Sequence, residues 1–249
     1  MRLSKYLYPS LTLILSLCLW FILSTYYLPE YFLPSPVKVA RAIVVGFTNE
    51  TLLLQTWITF QESIFGFLVT LFLSFGIGLL VFSFKPLKEA TYPFLIAFQT
   101  TPLIAIAPIL LIWFGFGLES KIIMASIVSF FPMVVSVITG FSSTKQDYME
   151  LFKAFKASKF QTFRKLTFPN SLPFIFAGMK VAIVVSIIGA IVGEFVGSTG
   201  GLGYYILVKE QVLAVPSVFG ALLILMLLGI LNFTIIGVIE KKVIFWSGR

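Results

Sequence analysis

Apolar residues run along this chain in long, nearly unbroken stretches, and the polar residues gather between them. The stretches predict helices over about 11–28, 57–82, 93–116, 121–141, 173–196 and 217–239. Each is near the ~20 residues with which a helix crosses a hydrocarbon layer about 30 Å thick. The pattern therefore predicts an all-α integral membrane protein with six transmembrane helices, forming a single transmembrane domain over 1–249. Pro102 and Pro108 fall in the third stretch and Pro132 in the fourth. Membrane helices tolerate such prolines, so kinks within continuous spans are expected. The first stretch follows basic residues as a secretion signal would. It is long, however, and it runs into Ser24-Thr25-Tyr26-Tyr27, which lacks a small-x-small cleavage site, so it reads as a retained span.

Two connections are longer than linkers need to be. In the first, about 29–56, Ser35 is placed to cap a helix whose first residue is Pro36, because proline there loses no needed donor. Val37, Ala40, Val44 and Phe47 give that helix an apolar stripe on the outer surface. In the second, about 142–172, Ser143 with Gln146 and Ser158 with Gln161 have the spacing of capping boxes. Two short helices are expected, the first ending near Lys156 and the second stopping before Pro169. This helix–turn–helix carries six basic residues and exposes Phe152, Phe155, Phe160 and Phe163, a surface that needs either an anionic bilayer or another protein to cover it.

Composition narrows the choices. The chain is 59% hydrophobic and 11% charged, with a net charge of +8, and its mean hydropathy is +1.03. Soluble domains are about a quarter charged, so lipid is the solvent this chain suits. The basic residues form no stripe interleaved with stacking aromatics, which argues against nucleic acid as a partner. With the N-terminus inside, Arg2, Lys5, Lys85, Lys88, the basic residues of 142–172, Lys241, Lys242 and Arg249 are cytoplasmic, and Lys38, Arg41, Lys121 and Lys209 are external. That asymmetry predicts a multi-pass protein of the cell membrane with both termini in the cytoplasm. The single cysteine, Cys18, allows no intrachain disulfide, and there is no histidine. No catalytic group, metal site or cofactor is expected. The chain lacks the G-x-x-x-x-G-K-[ST] phosphate cradle, and the glycine-rich segment Gly197–Gly203 has no following lysine and reads as a flexible external turn.

Ionisable residues inside spans are costly and mark function or pairing. Glu62, Lys180 and Glu194 are three such residues. Lys180 lies near the inner end of its span, within snorkelling reach of water. Glu62 and Glu194 are expected at similar depth near the outer mouth, either reaching headgroup water or, with Pro102 and Pro108, bordering a translocation path.

Glu150-Leu151-Phe152, then Lys156, then Leu166-Thr167-Phe168-Pro169 resembles the EAA motif of ABC-importer permeases, with its spacing kept. Further blocks agree: Leu33-Pro34-Ser35-Pro36, the run Thr101–Pro108, Trp113-Phe114-Gly115-Phe116-Gly117, and Gly193-Glu194-Phe195-Val196-Gly197-Ser198 followed by Gly201-Leu202-Gly203-Tyr204. Over nearly its whole length the chain is similar to permeases of the nitrate, sulfonate and taurine type, whose relatives import thiamine-precursor pyrimidines and riboflavin. The resemblance implies the type I ABC-importer permease architecture working as a homodimer in the bacterial inner membrane. It also implies a cytoplasmic ABC ATPase that receives the EAA loop and an external binding protein that delivers the solute. Two departures stand out: Leu151 and Phe152 replace the alanines, and Lys156 replaces the family's glycine. Sulfonate and nitrate carriers often have arginine where this chain has Glu62, and an acidic mouth would repel anions, which favours a small heterocycle. A membrane enzyme or scaffold and an ion channel are the competing classes. The first lacks a clustered catalytic set and the second a polar pore lining.

Overall fold

Small residues let two long helices approach backbone to backbone, and this decides where the interior lies. The structure, a computed structural model, describes residues 3–100 and 102–246. In chain order the helices are α1 (Leu3–Ile22, continued by a π-turn at Leu23–Tyr27), α2 (Pro36–Asn49), α3 (Leu52–Ser83), α4 (Lys85–Thr100) and α5 (Ala107–Phe114, preceded by a 3-10 turn at Leu103–Ile106). After them come α6 (Leu118–Ser142), α7 (Gln146–Ala154), α8 (Lys159–Thr162, continued by a π-turn at Phe163–Thr167), α9 (Phe168–Gly197), α10 (Leu202–Gln211) and α11 (Val215–Val243). No strand occurs among the described residues. Among the described residues five helical stretches are long and apolar enough to cross a membrane: Leu7–Tyr27, Leu52–Ser83, Leu118–Ser142, Lys159–Gly197 and Val215–Val243.

The third expected span, 93–116, is not one helix. Pro102 lies outside any helix and accepts the Ala105 N–H at 2.9 Å, starting the 3-10 turn. Pro108 sits at the start of α5, where its missing N–H costs nothing. The element is therefore discontinuous and not kinked. Thr101, part of the motif run, lies outside the described residues, as do Arg2 and Arg249.

The described chain falls into two compact units: Met1–Ile58 with Thr199–Met226, and Thr59–Ser198 with Leu227–Arg249. In the second, α6 packs along α9. A Cβ on Gly189 would stand 2.7 Å from the Ala125 Cα and 2.9 Å from the Met124 carbonyl, and one on Gly178 would strike Ser136. This is the close contact that small residues permit between membrane helices. Around it Met133, Val137, Phe141, Ile175, Phe176 and Ile183 form the largest apolar cluster of this unit. The outward faces stay apolar, as with Phe72 and Ile112, because lipid and not water is to cover them.

The first unit is stitched near polar chain turns. The Trp20 indole donates to the Pro34 carbonyl at 3.0 Å and its ring packs near Phe219. Ser35 caps α2, accepting from the Lys38 N–H. The inward face of α2 is Val39 and Gly46, whereas Val37, Val44 and Phe47 point outward. The Gly201 N–H donates to Gln55 Oε1 at 2.6 Å with Gly201 at φ +100°, so the glycine-rich segment is a bonded turn.

Candidate functional site

The 142–172 segment is built by two local devices. The α7 helix ends in a Schellman motif: Lys156 N–H bonds the Lys153 carbonyl at 2.9 Å, and Ala157 N–H bonds Phe152 at 3.0 Å. That closure needs a left-handed residue, and Lys156 supplies it at φ +55°. Two residues later Ser158 opens α8 with a full capping box, accepting the Gln161 N–H at 3.2 Å while its own N–H reaches Gln161 Oε1 at 2.8 Å. The turn pushes Phe155 and Phe160 into the open, 77% and 70% exposed, with Leu151 beside them.

Several expectations for this segment are corrected. Ser143 does not cap α7, whose N-cap is Lys145; the Ser143 hydroxyl instead donates to the Gly140 carbonyl and accepts from Asn170 Nδ2 at 3.0 Å. The end of α7 at Ala154, with Phe155 as C-cap, does agree with the expected stop near Lys156. Phe152 is half-buried, and Phe163 packs inward against Phe141 and Phe168 with ring centroids 5.5 and 6.1 Å away. Pro169 does not end a helix: it opens α9, and the helical path runs on from Lys159 to Gly197. The π-turn makes this possible, because the Phe168 N–H reaches back to Phe163 and the register shift falls where proline has no donor to offer. Glu150 accepts from Gln146 Nε2 at 2.9 Å, and Leu166 stands in the π-turn.

Glu62 and Glu194 are both buried, on α3 and α9. They are 2% and 1% exposed, so neither reaches headgroup water. Glu62 lies about 15 Å along α3 from Leu52 at ~1.5 Å per residue. Thr59, one turn before Glu62 on α3, donates to Glu194 Oε1 at 2.6 Å. A third buried ionisable residue is Lys121, 1% exposed, which sequence reasoning assigned to an external loop. Its ammonium donates to the Phe116 carbonyl and to the Gly197 carbonyl, the latter at 2.7 Å, and lies within electrostatic reach of both acids. Lys121 thus offsets an acid in the last turn of α9, where the helix dipole disfavours one. Pro102 is exposed and apart from the described contacts of this cluster, and Pro108 begins α5.

Lys180 has a partner in the fold. It pairs with Glu240 of α11 and lies over the Phe233 ring at 5.7 Å. In the first unit, Glu50 accepts from Lys209 at 2.7 Å and from the Tyr205 hydroxyl at 2.8 Å. The Lys209 and Tyr205 bonds hold the Glu50 carboxyl below its ordinary range. Burial and the Glu50 bond push the Tyr205 hydroxyl up to about 12. None of these pairings has a local sequence signature, since the partners are far apart in the chain. Among the described residues no group of His, Cys, Asp and Glu is arranged to hold a metal.

Comparison with known proteins gives a consistent picture. Residues 66–245 match the family model described as binding-protein-dependent transport system inner membrane component. The formylaminopyrimidine transport permease protein ThiX of Halalkalibacterium halodurans is 33% identical, covering 97% of this chain and 96% of its own. The riboflavin transport system permease protein RibX of Chloroflexus aurantiacus is 30% identical over 98% of this chain and 93% of its own. An inward-facing structure of the MetNI methionine ABC transporter superposes with a TM-score of 0.68 at 18% identity, over 77% of this chain and 95% of that one.

Proposed function

Because the chain belongs to the family of binding-protein-dependent transport system inner membrane components, we propose that it carries a small heterocyclic nutrient across the membrane and takes its drive from an ATPase docked on the 142–172 segment. It is the permease subunit of an ABC importer, with the type I permease fold. ATP hydrolysis belongs to a separate subunit, and an external binding protein supplies the solute. A second copy of the chain completes the path, and the segment and both termini face the cytoplasm.

The observation that carries the coupling reading is the exposed Phe155 at the apex of the α7–α8 turn. An aromatic side chain held out by a closed helix end is preorganised to fill a partner's pocket, and truncating such an anchor costs ~2 kcal/mol or more. Glu150, Leu151, Phe152, Lys156, Leu166, Phe168 and Pro169 shape the same element. Phe155→Ala should lower ATPase recovery at least tenfold on co-purification, with the permease still folded. Equal recovery and equal transport would remove Phe155 from the interface.

The solute reading rests on the pyrimidine and riboflavin carriers among the relatives. The argument from an acidic mouth no longer supports it, because both acids are buried beside Lys121. In this reading the discontinuity marked by Pro102 and Pro108 borders the path, and Glu62 and Glu194 brace its wall from within. Calorimetry on the cognate binding protein should give heat with an aminopyrimidine or a flavin. Heat with taurine, an alkanesulfonate or nitrate instead would reassign the solute.

A further inference from the structure

The end of α6 borders a cavity of about 480 Å³ in the second unit, lined by Lys88 of α4, by Ile138, Thr139, Ser142 and Ser143 of α6, and by Phe174 of α9. Among the described residues no acid lines it; Glu89, beside Lys88, is exposed and outside the lining. The Lys88 ammonium donates to Ser142 Oγ at 2.7 Å, at a helix C-terminus that favours a cation. That uses one of its three hydrogens, and no other partner of Lys88 is described. Two hydroxyls add to the surplus of donors. Thr91 and Ser136, on the same two helices, donate back to carbonyls one turn earlier. Thr139 is helical and exposed, yet no hydrogen bond of its side chain is described, and Ser142 accepts from Lys88 without donating onward. Ser143 is already held by Gly140 and Asn170 and serves as wall. An ammonium and two hydroxyls thus converge on one space with hydrogens to give, which is the donor set that an anionic oxygen takes.

We propose that this cavity is a phosphate-binding site, filled by the headgroup of an anionic phospholipid of the inner leaflet, with Lys88, Ser142 and Thr139 as its donors. The proposal rests on the cytoplasmic placement of 142–172 given above. Two further observations favour a lipid as the source of the phosphate. The first is polarity. Along α6 the lining passes from Ile138 through Thr139 to Ser142 and Ser143 in the direction of the cytoplasm, and Phe174, 42% exposed, opens the apolar end outward. A phospholipid runs the same way, from acyl chain through glycerol to phosphate, whereas a free anion has no use for the apolar end. The second is depth. Lys180 pairs with Glu240, and Lys241 and Lys242 follow it at the end of α11, where basic residues mark the inner boundary of the hydrocarbon. Phe174 lies about 9 Å further along α9 toward the cytoplasm at ~1.5 Å per residue, and it faces Gly140 of α6. The cavity therefore lies just past the hydrocarbon, at the level of the headgroups. A lipid bound there would bridge α4, α6 and α9 beside the segment that leads into α7.

Native mass spectrometry of the purified full-length protein, stripped of lipid in detergent and titrated with phosphatidylglycerol, tests this without reference to transport. The parent should keep a tightly held phosphatidylglycerol after weaker adducts are lost. Lys88→Ala should weaken that binding about tenfold or more, since it removes a charge-assisted bond. Thr139→Val, which leaves the Lys88–Ser142 bond in place, should weaken it to a smaller extent and guards against Lys88→Ala disturbing α4. Lys153→Ala, at an exposed α7 position, should bind like the parent. Excess inorganic phosphate should not displace the lipid; displacement that depends on Lys88 would overturn the lipid source and leave a site for a free anion. Parent-like lipid binding in both Lys88→Ala and Thr139→Val would overturn the site itself. The titration is blind to membrane orientation, so its failure is distinct from a failure of the topology, which thiol labelling reads.

Discussion

A lysine occupies a backbone conformation that favours glycine. At φ +55° Lys156 bears the left-handed penalty of roughly 1–2 kcal/mol that a side chain brings to that region. Its side chain is exposed and its N–H is already used in closing α7. Lys156→Gly should therefore stabilise the segment by about 1 kcal/mol and slow proteolysis of residues 150–165. Faster cleavage would mean that the lysine side chain holds the turn. This position was legible in the chain, since the motif spacing marks it as a glycine site and the structure supplies the reason. Lys121 was not. It lies a few residues past Gly117, where the apolar run had just begun, and a one-turn error at that boundary turns a buried ammonium into a loop cation. Its partners Glu62 and Glu194 are on α3 and α9, which no local pattern links to it.

At the scale of elements, packing and backbone chemistry outweigh hydropathy. The α6–α9 contact depends on Gly189, where an added side chain meets backbone atoms of Ala125 and Met124 that cannot swing aside. Gly189→Val should cost 1–3 kcal/mol or more through overpacking, seen as a lower melting temperature and loss of the monodisperse peak in detergent. Gly76→Ala, in α3 where a Cβ meets nothing within 4 Å, is the matched control and should leave both unchanged. A Gly189→Val protein as stable as the parent would mean that these helices slide freely. Hydropathy located the long helices because lipid-facing and buried positions are both apolar. It missed the break near Pro102, because Leu103–Phe114 is apolar whether or not the helix is continuous. It misjudged Pro169 for a related reason: a π-turn upstream removes the hydrogen bond that a proline would otherwise break.

For the whole molecule the outstanding property is orientation in the bilayer, which charge asymmetry predicts with both termini inside. In a Cys18→Ser background, Asn49→Cys and Lys145→Cys, at exposed positions beside α2 and α7, should react oppositely with an impermeant thiol reagent on intact cells. Labelling of Lys145→Cys from outside would invert the protein and place the Phe155 apex out of reach of any ATPase. The discontinuity near Pro102 also has a consequence for how the chain is made. The α5 helix, Ala107–Phe114, spans only about 12 Å, less than half the hydrocarbon thickness, and α4 opens with Lys85, Lys88 and Glu89. Neither half satisfies the insertion machinery on its own. On this reasoning α4 to α6, joined through the tight turn at Gly115, φ +77°, should enter the membrane together, with α6 as the anchor.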